Sequence, residues 1–101
     1  MCGIGGLFLR SPQLLDIDAA LLRMLDIQHH RGPDGRGLWQ SNTVPVGLCH
    51  NRLAILDLSP SGAQPMHAHD GKKSIVFNGE IYNYLDLRRD LSALGHAFSS
   101  G

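Results

Sequence analysis

The chain has 101 residues, and nine Lys and Arg residues balance nine Asp and Glu residues. This length predicts one domain with a modest core, and the even charge disfavours nucleic acid or an anionic membrane as a partner. No apolar run reaches the ~18 residues of a membrane span, and the first residues do not follow a secretion-signal pattern. Cys2 and Cys49 are the two cysteines, and they are predicted to be free thiols in a reducing, cytoplasmic setting.

The first part of the chain carries a strand pattern and then a helix pattern. Residues 3–9 have the apolar content of a buried strand. Ser11 followed by Pro12 predicts a helix N-terminus, and the apolar spacing continues that helix to about Gln28. The glycine-rich polar segment 29–37 predicts a shaped loop without regular structure.

Shorter elements are predicted in the rest of the chain. Strand patterns occur at 44–49, 53–58, 74–77 and 96–99. A loop with two prolines separates the second and third of these, at 59–70. Asn83 is a possible cap for a second helix, which Gly95 would close. With 44–49 and 53–58 taken as one region, three strand regions and two helices predict an α+β fold, in which the last strand, at 96–99, has no visible partner.

Cys2 is the first candidate for chemistry. Removal of Met1 would leave a thiol and an α-amine on the same residue. An α-amine with a pKa near ~8 accepts a proton from a neighbouring thiol, so one residue supplies both nucleophile and base. The alternative is a buried structural cysteine in the first strand.

Two further positions carry groups suited to acyl transfer. The Asn78 amide and the Gly79 N–H form a possible two-donor oxyanion hole, although Asn-Gly is also a common turn dipeptide. The Arg52 guanidinium suits a carboxylate; the alternative is a surface arginine or a structural pair with Asp57.

Two polar loop segments differ in the kind of site that their residues predict. Residues 30–34 combine a titrating ring, a cation and a carboxylate with two backbone-shaping residues, which is typical either of a pocket wall or of an ordinary polar turn. His67, His69 and Asp70 lack further ligands at metal-binding spacing, so no metal site is predicted.

Five short motifs of this chain occur in the order seen in the class II, or N-terminal nucleophile, glutamine amidotransferases. They are Met1-Cys2-Gly3-Ile4-Gly5-Gly6, His30-Arg31-Gly32-Pro33-Asp34, Asn51-Arg52-Leu53-Ala54-Ile55-Leu56-Asp57, Gly62-Ala63-Gln64-Pro65-Met66 and Asn78-Gly79-Glu80-Ile81-Tyr82-Asn83-Tyr84. The second and fifth motifs resemble the glutamine-hydrolysing asparagine synthetases in particular. The resemblance covers essentially the whole chain.

That resemblance implies a role for each site residue. Cys2 would be the nucleophile that attacks the glutamine amide, and Asn78 and Gly79 would form the oxyanion hole. The implied glutamine-binding residues are Arg52 for the α-carboxylate, Leu53, Ile55 and Leu56 for the pocket lining, and Glu80 for the α-amino end. The implied pocket wall consists of His30, Arg31, Gly32, Pro33 and Asp34.

The resemblance also implies a fold and a reaction. Residues 1–101 would be the N-terminal portion of a four-layer α/β/β/α sandwich with antiparallel sheets. The full-length enzyme would hydrolyse glutamine and use the ammonia for ATP-dependent asparagine synthesis from aspartate. ATP and Mg²⁺ would bind a C-terminal synthetase domain outside these residues, which need no cofactor themselves, and the full-length enzyme could be a homodimer. The alternatives are a truncated domain that only binds glutamine or is inactive, and the front end of another amidotransferase, such as a natural-product amide ligase.

Overall fold

The computed structural model describes residues 2–11, 13, 15–54 and 62–98. Its strands are β1 (Gly3–Phe8), β2 (Gly35–Gln40), β3 (Val46–Arg52), β4 (Met66–His67) and β5 (Ser74–Ile75). Its helices are α1 (Ile17–Ile27) and α2 (Tyr84–Ala93), and a single 3₁₀ turn spans His29–Arg31. All of the strand pairings are antiparallel, so the predicted α+β class with antiparallel sheets is confirmed.

The larger sheet has three strands in the order β1-β3-β2, with β3 in the centre. Gly3 at the start of β1 lies opposite Asn51, and Gly35 at the start of β2 lies opposite Arg52. The beginnings of both outer strands therefore meet the end of the central strand at one end of the sheet.

Helix α1 packs on one face of this sheet and supplies most of its core. Ile17, Leu21 and Leu25 recur every four residues, which places them on one side of the helix. They pack with Cys49 of β3, and burying each of the larger side chains contributes about 1.5–3 kcal/mol. A Cβ on Gly47 would lie 2.7 Å from the Ile17 side chain, so this glycine allows the helix to approach the sheet.

The predicted start of α1 at Ser11 is wrong. The helix begins at Ile17, and its N-cap is Asp16, whose Oδ1 accepts a hydrogen bond from Ala19 N at 3.2 Å. The helix starts there because Ile17 is the first residue of the buried face and the preceding carboxylate satisfies an unpaired N–H of the first turn. Pro12 lies outside the described residues.

The sheet also differs from the strand predictions. Part of the predicted loop at 29–37 is regular, because β2 already begins at Gly35. The predicted strand at 44–49 instead runs as β3 to Arg52, since hydrogen bonds to strands on both sides support its polar end. Residues 53 and 54 are not a strand, and the rest of the segment predicted at 53–58 lies outside the described residues.

The C-terminal half contains the β4–β5 hairpin and α2. The hairpin includes Met66–His67, within the predicted loop, and follows a cis Gln64–Pro65 peptide bond. Helix α2 follows Asn83 as predicted, and Gly95 after its C-cap has a φ of 96°. No residue of α2 is buried, and residues 96–98 do not form the predicted strand. With 11 and 10 residues, neither helix of the described ranges is long and apolar enough to cross a membrane.

Candidate active site

Cys2 lies immediately before β1, at the end of the sheet where β3 finishes. Its half-buried thiol accepts a hydrogen bond from Leu53 N at 3.2 Å and faces the Leu53 carbonyl oxygen at 3.7 Å. Leu53 directly follows the last residue of β3. The Leu53 main chain therefore contacts the Cys2 sulfur through both its N–H and its carbonyl oxygen, which fixes the thiol at this end of the sheet.

The segment 30–34 packs against the same end of the sheet. Arg31 donates from Nε to the Cys2 carbonyl oxygen at 3.2 Å. Asp34 donates its N–H to the Arg52 carbonyl oxygen at 2.9 Å, and its Oδ2 accepts from Ala54 N at 3.0 Å. Side chains of this segment therefore hold both the backbone before β1 and the backbone after β3.

Gly32 allows the segment to lie this close. It is buried, and a Cβ at this position would overlap the carbonyl oxygen of Asn51. The contacts described here come from Arg31, Gly32 and Asp34; His30 and Pro33 are exposed.

The structure thus brings together most of the predicted site residues from the first half of the chain. Cys2, Arg52 and Leu53 lie at one end of the sheet with the segment 30–34 beside them. Ile55 and Leu56, predicted to line the pocket, lie outside the described residues.

The predicted oxyanion-hole residues lie on a separate segment after β5. Asn78 is half-buried, whereas Gly79 and Glu80 are exposed. Within the described ranges, no hydrogen bond joins these three residues to Cys2. Their role therefore stays a prediction.

Gln64, for which the sequence predicts no role, anchors that segment. Its Oε1 accepts from Phe77 N at 2.6 Å, and its Nε2 donates to the Phe77 carbonyl oxygen at 3.2 Å. Gln64 belongs to one of the five motifs, but its partner is 13 residues away across a hairpin. No periodic pattern connects two such positions, so only the tertiary structure identifies the pair.

Burial affects two titratable groups of β3. His50 is only 2% exposed, and its Nε2 is buried without a hydrogen bond among the described residues. Burial lowers the pKa of His50; the backbone of Phe77 opposes this, and the positive charge of Arg52 adds to it. Burial also raises the pKa of the Cys49 thiol. Both cysteines are free thiols, and Cys49, at 1% exposure, is held in its unreactive form.

The cavity found near the N-terminus of α1 lies away from this site. Its volume is about 440 Å³, and it is lined by residues 15–17 and 40–45. Gln40 and Gly35 are at opposite ends of β2, which at the usual strand rise are about 17 Å apart. Across the described residues, no group of three or more metal-ligating side chains is present.

An antiparallel sheet with a helix on one face and a cysteine thiol at its N-terminal strand is the arrangement expected of an N-terminal nucleophile amidotransferase. The family comparison agrees with this class. Residues 1–101 match the glutamine amidotransferase domain, and the chain belongs to that family.

Curated relatives include both amidases and asparagine synthetases. The chain is 48% identical over 102 residues to amidase chry2 of Gibberella zeae, with 91% of this chain and 15% of that protein covered. It is 39% identical to asparagine synthetase [glutamine-hydrolyzing] 1 of Bacillus subtilis, covering 99% and 16%. It is 34% identical to asparagine synthetase B [glutamine-hydrolyzing] of Escherichia coli, covering 89% and 16%. The chain thus spans 15–16% of the length of these relatives. No solved structure matches it significantly.

Proposed function

We propose that this chain carries the glutamine-hydrolysing site of an amidotransferase, with Cys2 as the nucleophile. The observation that supports this most is the position of the thiol. It accepts a hydrogen bond from Leu53 N at the end of the sheet where β3 finishes with Arg52. Membership of the glutamine amidotransferase family supplies the substrate class. The proposal requires removal of Met1, which exposes the α-amine of Cys2.

The reaction we propose has two steps. The Cys2 α-amine takes the thiol proton, and the sulfur attacks the carbonyl carbon of the glutamine side-chain amide. The carbon–nitrogen bond then breaks as the nitrogen takes up that proton and leaves as ammonia. Water attacks the resulting thioester and gives a proton to the α-amine, the carbon–sulfur bond breaks, the sulfur takes up that proton, and glutamate leaves. Asn78 and Gly79 would donate hydrogen bonds to the tetrahedral oxygen, and the loss of one such donor costs about 10²–10³ in rate.

Arg52 is proposed to bind the α-carboxylate of glutamine with two parallel hydrogen bonds. Leu53, Ile55 and Leu56 would line the pocket, and Glu80 would bind the α-amino group. Because Arg52 would contact the non-reacting end of the substrate, we expect Arg52→Ala to raise KM more than it lowers kcat.

Steady-state kinetics of glutamine hydrolysis measure the change in KM and the change in kcat separately. Arg36→Ala on the neighbouring strand is a matched control, because Arg36 pairs with Asp26 of α1. An Arg52→Ala variant whose kcat falls as much as its KM rises would contradict the assignment.

For the full-length protein we propose ATP-dependent synthesis of asparagine from aspartate, with ammonia delivered to a C-terminal synthetase domain that binds ATP and Mg²⁺. A cytoplasmic homodimer is the proposed form. The relatives named as asparagine synthetases support this acceptor. The identity of 48% to a protein named an amidase favours a second candidate, an amidotransferase with another acceptor. Sequencing the reading frame beyond residue 101 and testing aspartate as the acceptor would distinguish the two.

Intact mass before and after an electrophilic glutamine analogue tests the proposed nucleophile. We expect loss of Met1 and one adduct, mapped to Cys2 and prevented by glutamine. Cys2→Ser should abolish the adduct, and Cys49→Ser should retain it because Cys49 is 1% exposed. No adduct, or equal labelling of both cysteines, would refute the proposal for this chain.

A further inference from the structure

Phe77 is held on both of its main-chain polar groups by one side chain. The Gln64 carboxamide accepts the Phe77 N–H at 2.6 Å and donates to the Phe77 carbonyl oxygen at 3.2 Å. The two bonds require opposite ends of the amide, so glutamine supplies them in a single orientation. This paired contact lies immediately before Asn78.

The main chain of Gln64 is itself seated on the larger sheet. A Cβ on Gly37 would overlap the Gln64 carbonyl oxygen, so the two backbones are in direct contact. Gly37 lies opposite His50 in the β2–β3 register. A hydrogen bond with the Phe77 backbone raises the pKa of the buried His50 ring, against the larger lowering by burial. Gln64 therefore connects the segment that contains Asn78 to the sheet that carries Cys2.

The geometry points to Gln64 as a positioning residue for the oxyanion hole, a role that rests on the function proposed above. We infer that its carboxamide fixes the Phe77–Asn78 peptide and thereby sets the positions of Asn78 and Gly79 relative to Cys2.

The planarity of the peptide bond explains why this contact controls the next residue. The Phe77 carbonyl and the Asn78 N–H belong to one rigid plane. A hydrogen bond to the carbonyl oxygen therefore sets the direction in which the chain enters Asn78. Oxyanion donors act only within about 2.7–3.1 Å of the developing charge, and a misplacement of about 1 Å costs about 100-fold in rate.

Gln64→Glu distinguishes the two hydrogen bonds, because it keeps one and removes the other. The carboxylate still accepts the Phe77 N–H, but it has no donor for the Phe77 carbonyl oxygen and repels it. Gln64→Ala removes both bonds. Gln40→Glu is the matched control, because it makes the same change at the exposed end of β2, away from Phe77.

Two readouts on the full chain test the inference. Amide hydrogen exchange and ¹⁵N NMR report on the segment itself. We expect Phe77 N–H exchange to rise about 10-fold or more in Gln64→Ala and to change less in Gln64→Glu. The Asn78 and Gly79 amide resonances should shift in both variants and remain unchanged in Gln40→Glu. Unchanged resonances in the Gln64 variants would overturn the inference.

The second readout is the reversible adduct between Cys2 and the γ-aldehyde analogue of glutamine. The sulfur adds to the aldehyde carbon and the thiol proton passes to the oxygen, which occupies the oxyanion hole. We expect the adduct of Gln64→Glu to be about 10- to 100-fold weaker. Alkylation of Cys2 by iodoacetamide needs no oxyanion hole and should stay within about 2-fold of wild type.

The outcomes separate the two proposals. An unchanged aldehyde adduct in Gln64→Glu would overturn the positioning role, even if exchange at Phe77 increases. A wild-type chain that forms no aldehyde adduct would refute glutamine hydrolysis by this chain; the inference for Gln64 would then fall with it as a statement about catalysis, while the exchange data would decide whether Gln64 holds the segment.

Discussion

Asn51→Asp is the substitution that the structure predicts to be most informative about stability. Asn51 is 1% exposed on β3, and its Nδ2 donates to the Leu25 carbonyl oxygen at 3.1 Å. That carbonyl belongs to the last turn of α1, where the helix itself supplies no partner. The variant keeps the size of the side chain but replaces a hydrogen-bond donor with an acceptor.

The expected cost follows from the two buried groups. Loss of the hydrogen bond leaves the Leu25 carbonyl unsatisfied, which costs about 1–3 kcal/mol and is the minimum expected for Asn51→Ala. An unpaired carboxylate at the same place is more costly, at about 3–5 kcal/mol. Because a domain of this kind has only about 5–15 kcal/mol of stability, the Asn51→Asp variant should be close to unfolding at pH 7.

Urea denaturation followed by circular dichroism measures the loss, and its pH dependence identifies the cause. Burial raises the pKa of the introduced carboxyl above its unfolded value of about 3.9, so the folded state binds the proton more tightly. The deficit relative to wild type should therefore narrow as the pH falls from 7 towards 4, where the protonated group also regains a donor. Asn42→Asp, at an exposed position, should cost less than about 0.5 kcal/mol. A small deficit for Asn51→Asp that does not depend on pH would refute the reasoning.

Three further predictions concern the sheet. Gly32→Ala should lower both the stability and the labelling of Cys2, because its Cβ overlaps the Asn51 carbonyl oxygen. Gly35→Ala should have a mild effect, because the nearest contact of its Cβ is at 3.6 Å. Equal losses in the two variants, in denaturation and in labelling, would count against this. His50, whose pKa burial lowers from 6.5, favours the neutral form when folded, so stability should fall as the pH drops below about 6.5. His50→Gln should flatten that part of the stability curve, and an identical slope would exclude His50 as its source. Arg36→Ala should cost less than about 1 kcal/mol in denaturation and lose its effect in high salt, since the partners of its 2.6 Å ion pair are 39% and 69% exposed; a larger loss would show that this pair is not screened by solvent.

The elements with strong local signals were predicted well. The apolar run of β1 and the apolar spacing of α1 predict both elements, although only Gly3 of β1 is buried, and Gly95 marks the end of α2 because its positive φ suits glycine. The start of α1 was misplaced because a Ser-Pro pair resembles a cap, whereas the buried face begins only at Ile17. The polar end of β3 was missed for a related reason: strand pairing on both sides stabilises it without an apolar pattern.

The family and the identity of the reactive groups follow from the amino-acid sequence, because a cysteine at position 2 and five ordered motifs are local features of the chain. Which of these groups come into contact depends on the fold. The contacts of Cys2 with Leu53 and of Arg31 with Cys2 span 51 and 29 residues, and the two bonds of Gln64 to Phe77 join residues 13 apart in the chain across the β4–β5 hairpin. Such contacts form when the sheet brings distant strand ends together, and no local pattern of residues encodes their partners.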